Sequence, residues 1–158
     1  MQLRRIPAKI VSLSVVTTAG AYSAADQVGE VMKVTDASQD STSVSILRSV
    51  CLVDKGKQSV DTDILFFSEA PTNSVLDNGP ADISDAEMAA KCIGVVKLVA
   101  ADYSILANNS VATKAGLSVM LQPSLARSKD LYVLVVTRGT PTYASVQDLT
   151  LRLAFEQC

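Results

Sequence analysis

The sequence predicts an all-β fold, an antiparallel sandwich of about eight strands with one short helix. Three observations lead there. Apolar runs rich in Val, Ile, Leu and Phe recur at short spacing along the 158 residues, and such residues suit a pleated, half-buried surface. The stretches between them are filled by Asp, Ser, Thr, Asn, Gly and Pro, which make turns for identifiable reasons. The chain is 48% hydrophobic but only 4% aromatic, with no Trp, so its core has to be aliphatic. One domain, residues 1–158, is the natural organisation at this length, and it can bury roughly 70% of its unfolded surface.

Strands are expected over residues 10–18, 28–35, 44–54, 62–68, 93–100, 117–122, 131–138 and 149–156. The strongest local pattern is 44–69 (VSILRSVCLVDKGKQSVDTDILFFSE), in which two apolar runs flank a polar connection and predict an antiparallel hairpin. In the last strand Leu149, Leu151, Leu153 and Phe155 alternate with Thr150, Arg152, Ala154 and Glu156, so one face is core and the other solvent. Residues 131–136 are nearly continuously apolar, which predicts a central strand buried on both faces. Ser84-Asp85-Ala86-Glu87 matches a capping box and predicts a helix over 85–91, with acids in its first turn and Lys91 in its last. Residues 19–27 and 101–116 read as long irregular connections that make contacts.

The N-terminal stretch imitates a secretory signal, with an Arg pair, an apolar segment and an Ala-Tyr-Ser-Ala tail. The apolar segment 10–16 is short, however, and Ser12 and Ser14 interrupt it. Val11, Leu13 and Val15 alternate with those serines at strand period. A strand is the expectation. No run of eighteen or more apolar residues of the kind that spans a membrane occurs.

Charge is uneven. Residues 1–19 hold Arg4, Arg5 and Lys9 without an acid; residues 20–90 hold twelve acids and four bases; residues 91–158 hold seven bases and four acids. An acidic middle between basic ends lacks the basic stripe with interleaved aromatics of a nucleic-acid reader. It favours head-to-tail or arm-to-neighbour contacts, or simply an unevenly charged solvated surface.

Chemistry-bearing clusters are scarce. Histidine is absent, Cys51, Cys92 and Cys158 form no C-x-x-C unit, and the seven glycines make no phosphate cradle. Cys51 and Cys92 read as small buried hydrophobes at strand edges, in a chain made in a reducing cytoplasm. Asp61/Asp63 and Asp82/Asp85/Glu87 could hold a hard cation through oxygen ligands. A solvated strand edge and a helix cap explain them more simply. Tyr22, Tyr103, Tyr132 and Tyr143 are dispersed and read as core or turn-locking residues. No catalytic, cofactor-binding or metal-ligating residue is assigned, and no enzyme is expected.

The segments 21–31 (AYSAADQVGEV), 50–67 (VCLVDKGKQSVDTDILFF), 92–103 (CIGVVKLVAADY), 109–113 (NSVAT) and 131–151 (LYVLVVTRGTPTYASVQDLTL) carry a family resemblance. It is strongest over residues 137–143 followed by Asp148-Leu149. The chain resembles small virion structural proteins of tailed bacteriophages, encoded beside the major capsid protein and understood as head decoration or cement proteins. The cysteines and the basic arm depart from that pattern. The resemblance implies a β-sandwich of jelly-roll type at the capsid surface of the virion, made in the host cytoplasm. It implies the major capsid protein as partner, a homo-oligomer (a trimer), no cofactor, no nucleic acid and no membrane. Weak contacts repeated around a symmetry axis gain through effective concentration. A tail or neck component and a carbohydrate- or ligand-binding sandwich are the alternatives.

The interface residues expected are Arg4, Arg5 and Lys9 in the basic arm (residues 1–9) and Arg138, Pro141 and Tyr143 in the loop 138–145 (RGTPTYAS). Pro141 fixes its own φ and biases Thr140 toward extended geometry, while Gly139 allows a turn that side chains would forbid. Tyr143 either offers a rigid amphipathic contact surface or packs inward and locks the corner between the last two strands.

Overall fold

The alternation read in the last strand is the pattern the molecule uses: Leu149, Leu151, Leu153 and Phe155 are buried, while Arg152 is exposed. A computed structural model describes residues 7–72, 76–123 and 128–158. Its strands are β1 (Ala8–Val15), β2 (Gln27–Val34), β3 (Ser45–Asp54), β4 (Thr62–Phe67), β5 (Cys92–Leu98), β6 (Tyr103–Ile105), β7 (Ser110–Leu121), β8 (Leu131–Thr137) and β9 (Leu149–Gln157). A helix, α1 (Asp85–Lys91), runs directly into β5. The strands form a five-stranded sheet in the order β1-β9-β3-β7-β6 and a four-stranded sheet in the order β2-β8-β4-β5. Every pairing is antiparallel.

The two sheets form an all-β sandwich. Its core draws Val15, Leu47, Leu52, Ala112, Leu151 and Phe155 from one sheet and Val34, Ile64, Phe66, Val96, Val133 and Val135 from the other. A second cluster lies outside the four-stranded sheet, where Phe67, Leu134 and Val136 pack against Ala81, Ile83 and Met88. β8 therefore has both faces buried, as its continuous apolar run predicts. Ser84 caps α1 by accepting from the Glu87 N–H at 3.3 Å. The Glu87 carboxylate accepts from Thr72 and, at 2.6 Å, from Lys91, tying the helix to the chain that precedes it.

Three expectations need correction. Residues 44–69 are not a hairpin, because β3 pairs with β7 and β9 whereas β4 pairs with β5 and β8. The polar connection crosses from one sheet to the other, so Leu52 and Ile64 belong to one core from opposite sheets. Alternation marks a buried face but does not say whether two such faces lie side by side or opposite one another. Residues 101–116 are not an irregular connection either. They contain a single 3-10 turn (Ala100–Asp102), β6 and the first half of β7. Small and polar residues such as Ser110, Ala112 and Thr113 hide the strand period there. The third correction concerns Cys51, which lies inside β3 rather than at its edge and is only part-buried, between the buried Val50 and Leu52.

Candidate functional site: a locked loop end

One end of the sandwich gathers most of the connections. Val15, Leu149, Asp54 and Ser110 are neighbours at that end of one sheet, and Thr62, Leu98 and Thr137 at that end of the other. The segments leaving these residues, 16–26, 55–61, 99–109 and 138–148, therefore meet there.

Backbone bonds lock the loop 138–148 to its neighbours. Tyr22 N donates to Pro141 O at 2.9 Å and Tyr143 N to Gly20 O at 3.0 Å, so Ala21 and Thr142 form a bridge between the loops. Arg138 N donates to Asp61 O at 2.8 Å, and Thr142 N to Gln58 Oε1 at 2.9 Å. Asp148 Oδ2 accepts from both Ala144 N and Ser145 N at 3.0 Å, closing the last turn before β9. Gly139 is closely approached: a Cβ there would lie 3.0 Å from Val60 Cγ1 and 3.1 Å from Val60 Cβ, so Val60 would have to give by a few tenths of an ångström. The positive φ that glycine permits is not what the position uses.

Tyr143 is 3% exposed and meets the ring of Tyr22 edge-on at a centroid distance of 5.7 Å. Tyr22 Oη donates to Asp77 Oδ1 at 2.7 Å, and Asp77 also accepts from Gly29 N at 2.7 Å and Thr18 Oγ1 at 2.6 Å. Burial, and then the neighbouring Asp54 charge, raises the Tyr143 phenol above its ordinary range. Tyr22 is raised by burial and by donating to Asp77, and burial pushes Tyr103 up to about 12. All three phenols stay neutral over the physiological range. Asp54 is 1% exposed and raised by burial, which outweighs the backbone N–H groups near it. Its Oδ2 accepts from Ser59 N at 2.9 Å, and its Oδ1 has no partner among the described residues.

Of the sequence-predicted interface residues, Arg4 and Arg5 lie outside the described residues. Lys9 turns its ammonium onto Thr35 O and, at 3.0 Å, Asp36 O within its own chain. Arg138 reaches the locked loop end with an exposed guanidinium, paired to Asp63 Oδ2 at 2.6 and 2.8 Å. Pro141 and Tyr143 are buried, which corrects the reading of Tyr143 as a presented contact surface. Its ring is consumed in packing against Tyr22, and Pro141 O accepts the Tyr22 N–H. The inward, corner-locking alternative describes it.

What this end does present is aliphatic. Val16, Val99, Ile105, Leu106 and Val146 are all among the exposed large hydrophobic side chains, with Ile105 67% exposed. No aromatic ring is among those exposed hydrophobics. A shallow notch of about 330 Å³ beside them is lined by Asp61, Asp63, Lys97, Leu98, Val99 and Arg138. Among the described residues there is no cluster of three or more His, Cys, Asp or Glu side chains placed to hold a metal ion, and Asp63 faces Arg138. Tyr22 was read from sequence as a core or turn-locking residue, and its burial against Tyr143 agrees; the bonding roles of Asp77 and Asp148 were not read. Asp148 carried a signal, since an acid three residues after Ser145 can close a turn on that serine's N–H. Asp77 carried none, because it acts on residues 48 to 59 positions away.

No protein-family model matches the chain, and no curated protein matches its sequence.

Proposed function

We propose that the chain is a structural binding protein of a tailed-phage virion, a head decoration or cement protein that docks on the major capsid protein. The observation that carries this reading is the loop-bearing end: a surface held in place by its own hydrogen bonds and studded with exposed aliphatic side chains. A loop that is already fixed loses little conformational entropy on docking. Exposed aliphatics over a rigid base supply the weak apolar contacts that a symmetric assembly multiplies. The likeness of residues 137–149 to virion proteins falls on this same loop.

The strand orders β1-β9-β3-β7 and β2-β8-β4-β5 support a jelly-roll reading of the sandwich. A symmetric homo-oligomer, a trimer at three-fold positions of the shell, suits the role. A saccharide-binding face would expose aromatic rings, and Tyr22 and Tyr143 instead bury theirs against each other.

The test is co-sedimentation of the purified protein with undecorated heads built from the same virus's major capsid protein. Saturable binding to heads supports the reading. Binding to isolated tails but not heads, or to neither, overturns it.

A further inference from the structure

β1 is an edge strand, and its register fixes which backbone groups are unpaired. Gln157 N donates to Pro7 O at 2.9 Å, and Ala8 stands opposite Glu156. The alternation of an antiparallel ladder then turns the N–H and C=O groups of Lys9, Val11, Leu13 and Val15 toward β9. Those of Ala8, Ile10, Ser12 and Ser14 face the open side. Beyond them the edge is closed by β2, where a Cβ on Gly29 would lie 3.2 Å from Val16 O and 3.4 Å from Val16 N. Protein edges are ordinarily blunted by bulges, prolines or projecting charges. β1 has none of these within Ala8–Val15 except Lys9, whose ammonium is turned back onto Thr35 and Asp36.

Beside Ser14 this edge opens into a groove of about 470 Å³ lined by Ser14, Val16, Glu30, Val31, Met32 and Asp77. Two of the six are acids and none is basic. The chain's one Arg-Arg pair, Arg4-Arg5, precedes β1 at the end of the strand farther from this groove. Arg4 lies three residues before Pro7, at most about 11 Å along the chain. Ser14 lies seven residues beyond Pro7 on an extended strand, about 23 Å the other way. A second copy is under no such constraint.

We propose that residues 2–6 of a neighbouring copy add to the open edge of β1 as an extra strand; successive side chains on a strand face opposite ways, so one arginine of the Arg4-Arg5 pair answers Glu30 and Asp77. Main-chain hydrogen bonds to Ile10, Ser12 and Ser14 supply affinity, and the charge match sets register. This rests on the edge, the groove and the arm, and not on the virion reading.

Sedimentation velocity of the full chain at low salt tests it, with no capsid present. The wild type forms an oligomer, and Arg4→Glu with Arg5→Glu raises its dissociation constant at least about tenfold. Adding Glu30→Arg to that variant restores assembly. Ser12→Pro removes an N–H that no bond among the described residues uses, so it abolishes assembly while leaving the melting temperature within a few degrees. A wild type that stays monomeric at high concentration, or an oligomer that survives either the arginine reversal or Ser12→Pro with fold intact, overturns the proposal.

Discussion

Tyr143 shows how the job of a single residue can be read two ways from sequence and narrowed by its burial. Its place in a Gly- and Pro-bearing loop marked it as a fixed element, and the facing partner, Tyr22, lies 121 positions away where no local pattern points to it. Tyr143→Ala removes a buried ring and leaves Tyr22 without its neighbour, so denaturation should show a loss of about 3 kcal/mol or more. An unchanged melting temperature would contradict the corner role. Asp54 gives a pH signature. Its folded pKa is raised by burial, so over the window from the ordinary Asp value, about 3.9, up to that raised value the folded state binds more protons than the unfolded one. The stability that Asp54 contributes is therefore complete at low pH and lost as pH rises through the raised value. Measured against Asp54→Asn, which does not titrate, the wild type should lose melting temperature progressively across that window. A difference that is flat with pH, or that grows as pH rises, would contradict the assignment.

At the scale of elements, the β2 bulge shows what glycine contributes. Pairing with β8 shifts between Val28 and Met32, Gly29 has φ +73°, and a Cβ there would lie 3.0 Å from Val15 Cγ1. Gly116, in the β7 bulge, has φ +71° with nothing within 4 Å. Gly116→Ala should cost about 1 kcal/mol from backbone strain alone. Gly29→Ala should cost roughly 1 kcal/mol more, because the added methyl also pushes β1 and β2 apart. Equal losses on urea denaturation would contradict the packing argument. The elements that sequence could read are those whose signal is local: β8 and β9 by their apolar pattern, α1 by Ser84 and its flanking charges. It could not read β6 or the start of β7, where Ser, Ala and Thr weaken the period. The partners of β3 were also illegible, because Leu121 and Leu153 are chosen by the way the whole chain closes on itself.

For the molecule as a whole, only part of the candidate surface was legible. The loop 138–145 was marked by its turn chemistry. The exposed aliphatics were not, because Val99 reads as part of a strand over 93–100, and Ile105 and Leu106 as part of an irregular connection, until the fold places all three among the loops of one end. Their exposure makes the most direct test of the docking role. Ile105 and Leu106 sit at the hairpin tip between β6 and β7, where Leu106 N donates to Asn109 O at 2.8 Å and Lys57 Nζ to Ala107 O at 3.0 Å. These bonds use backbone groups, so the side chains can be changed without disturbing the turn. Ile105→Ser with Leu106→Ser should leave the melting temperature within about a degree or two, since surface changes of this kind are usually worth less than ~0.5 kcal/mol. If each copy buries these two side chains on the shell, the loss is repeated at every contact of the oligomer, and binding to heads should fall well over tenfold. Thermal melts and head co-sedimentation on the same preparation separate the outcomes. Unchanged head binding with an unchanged melt would move the contact to another part of the molecule, and a large fall in melting temperature would mean that the hairpin tip is part of the fold.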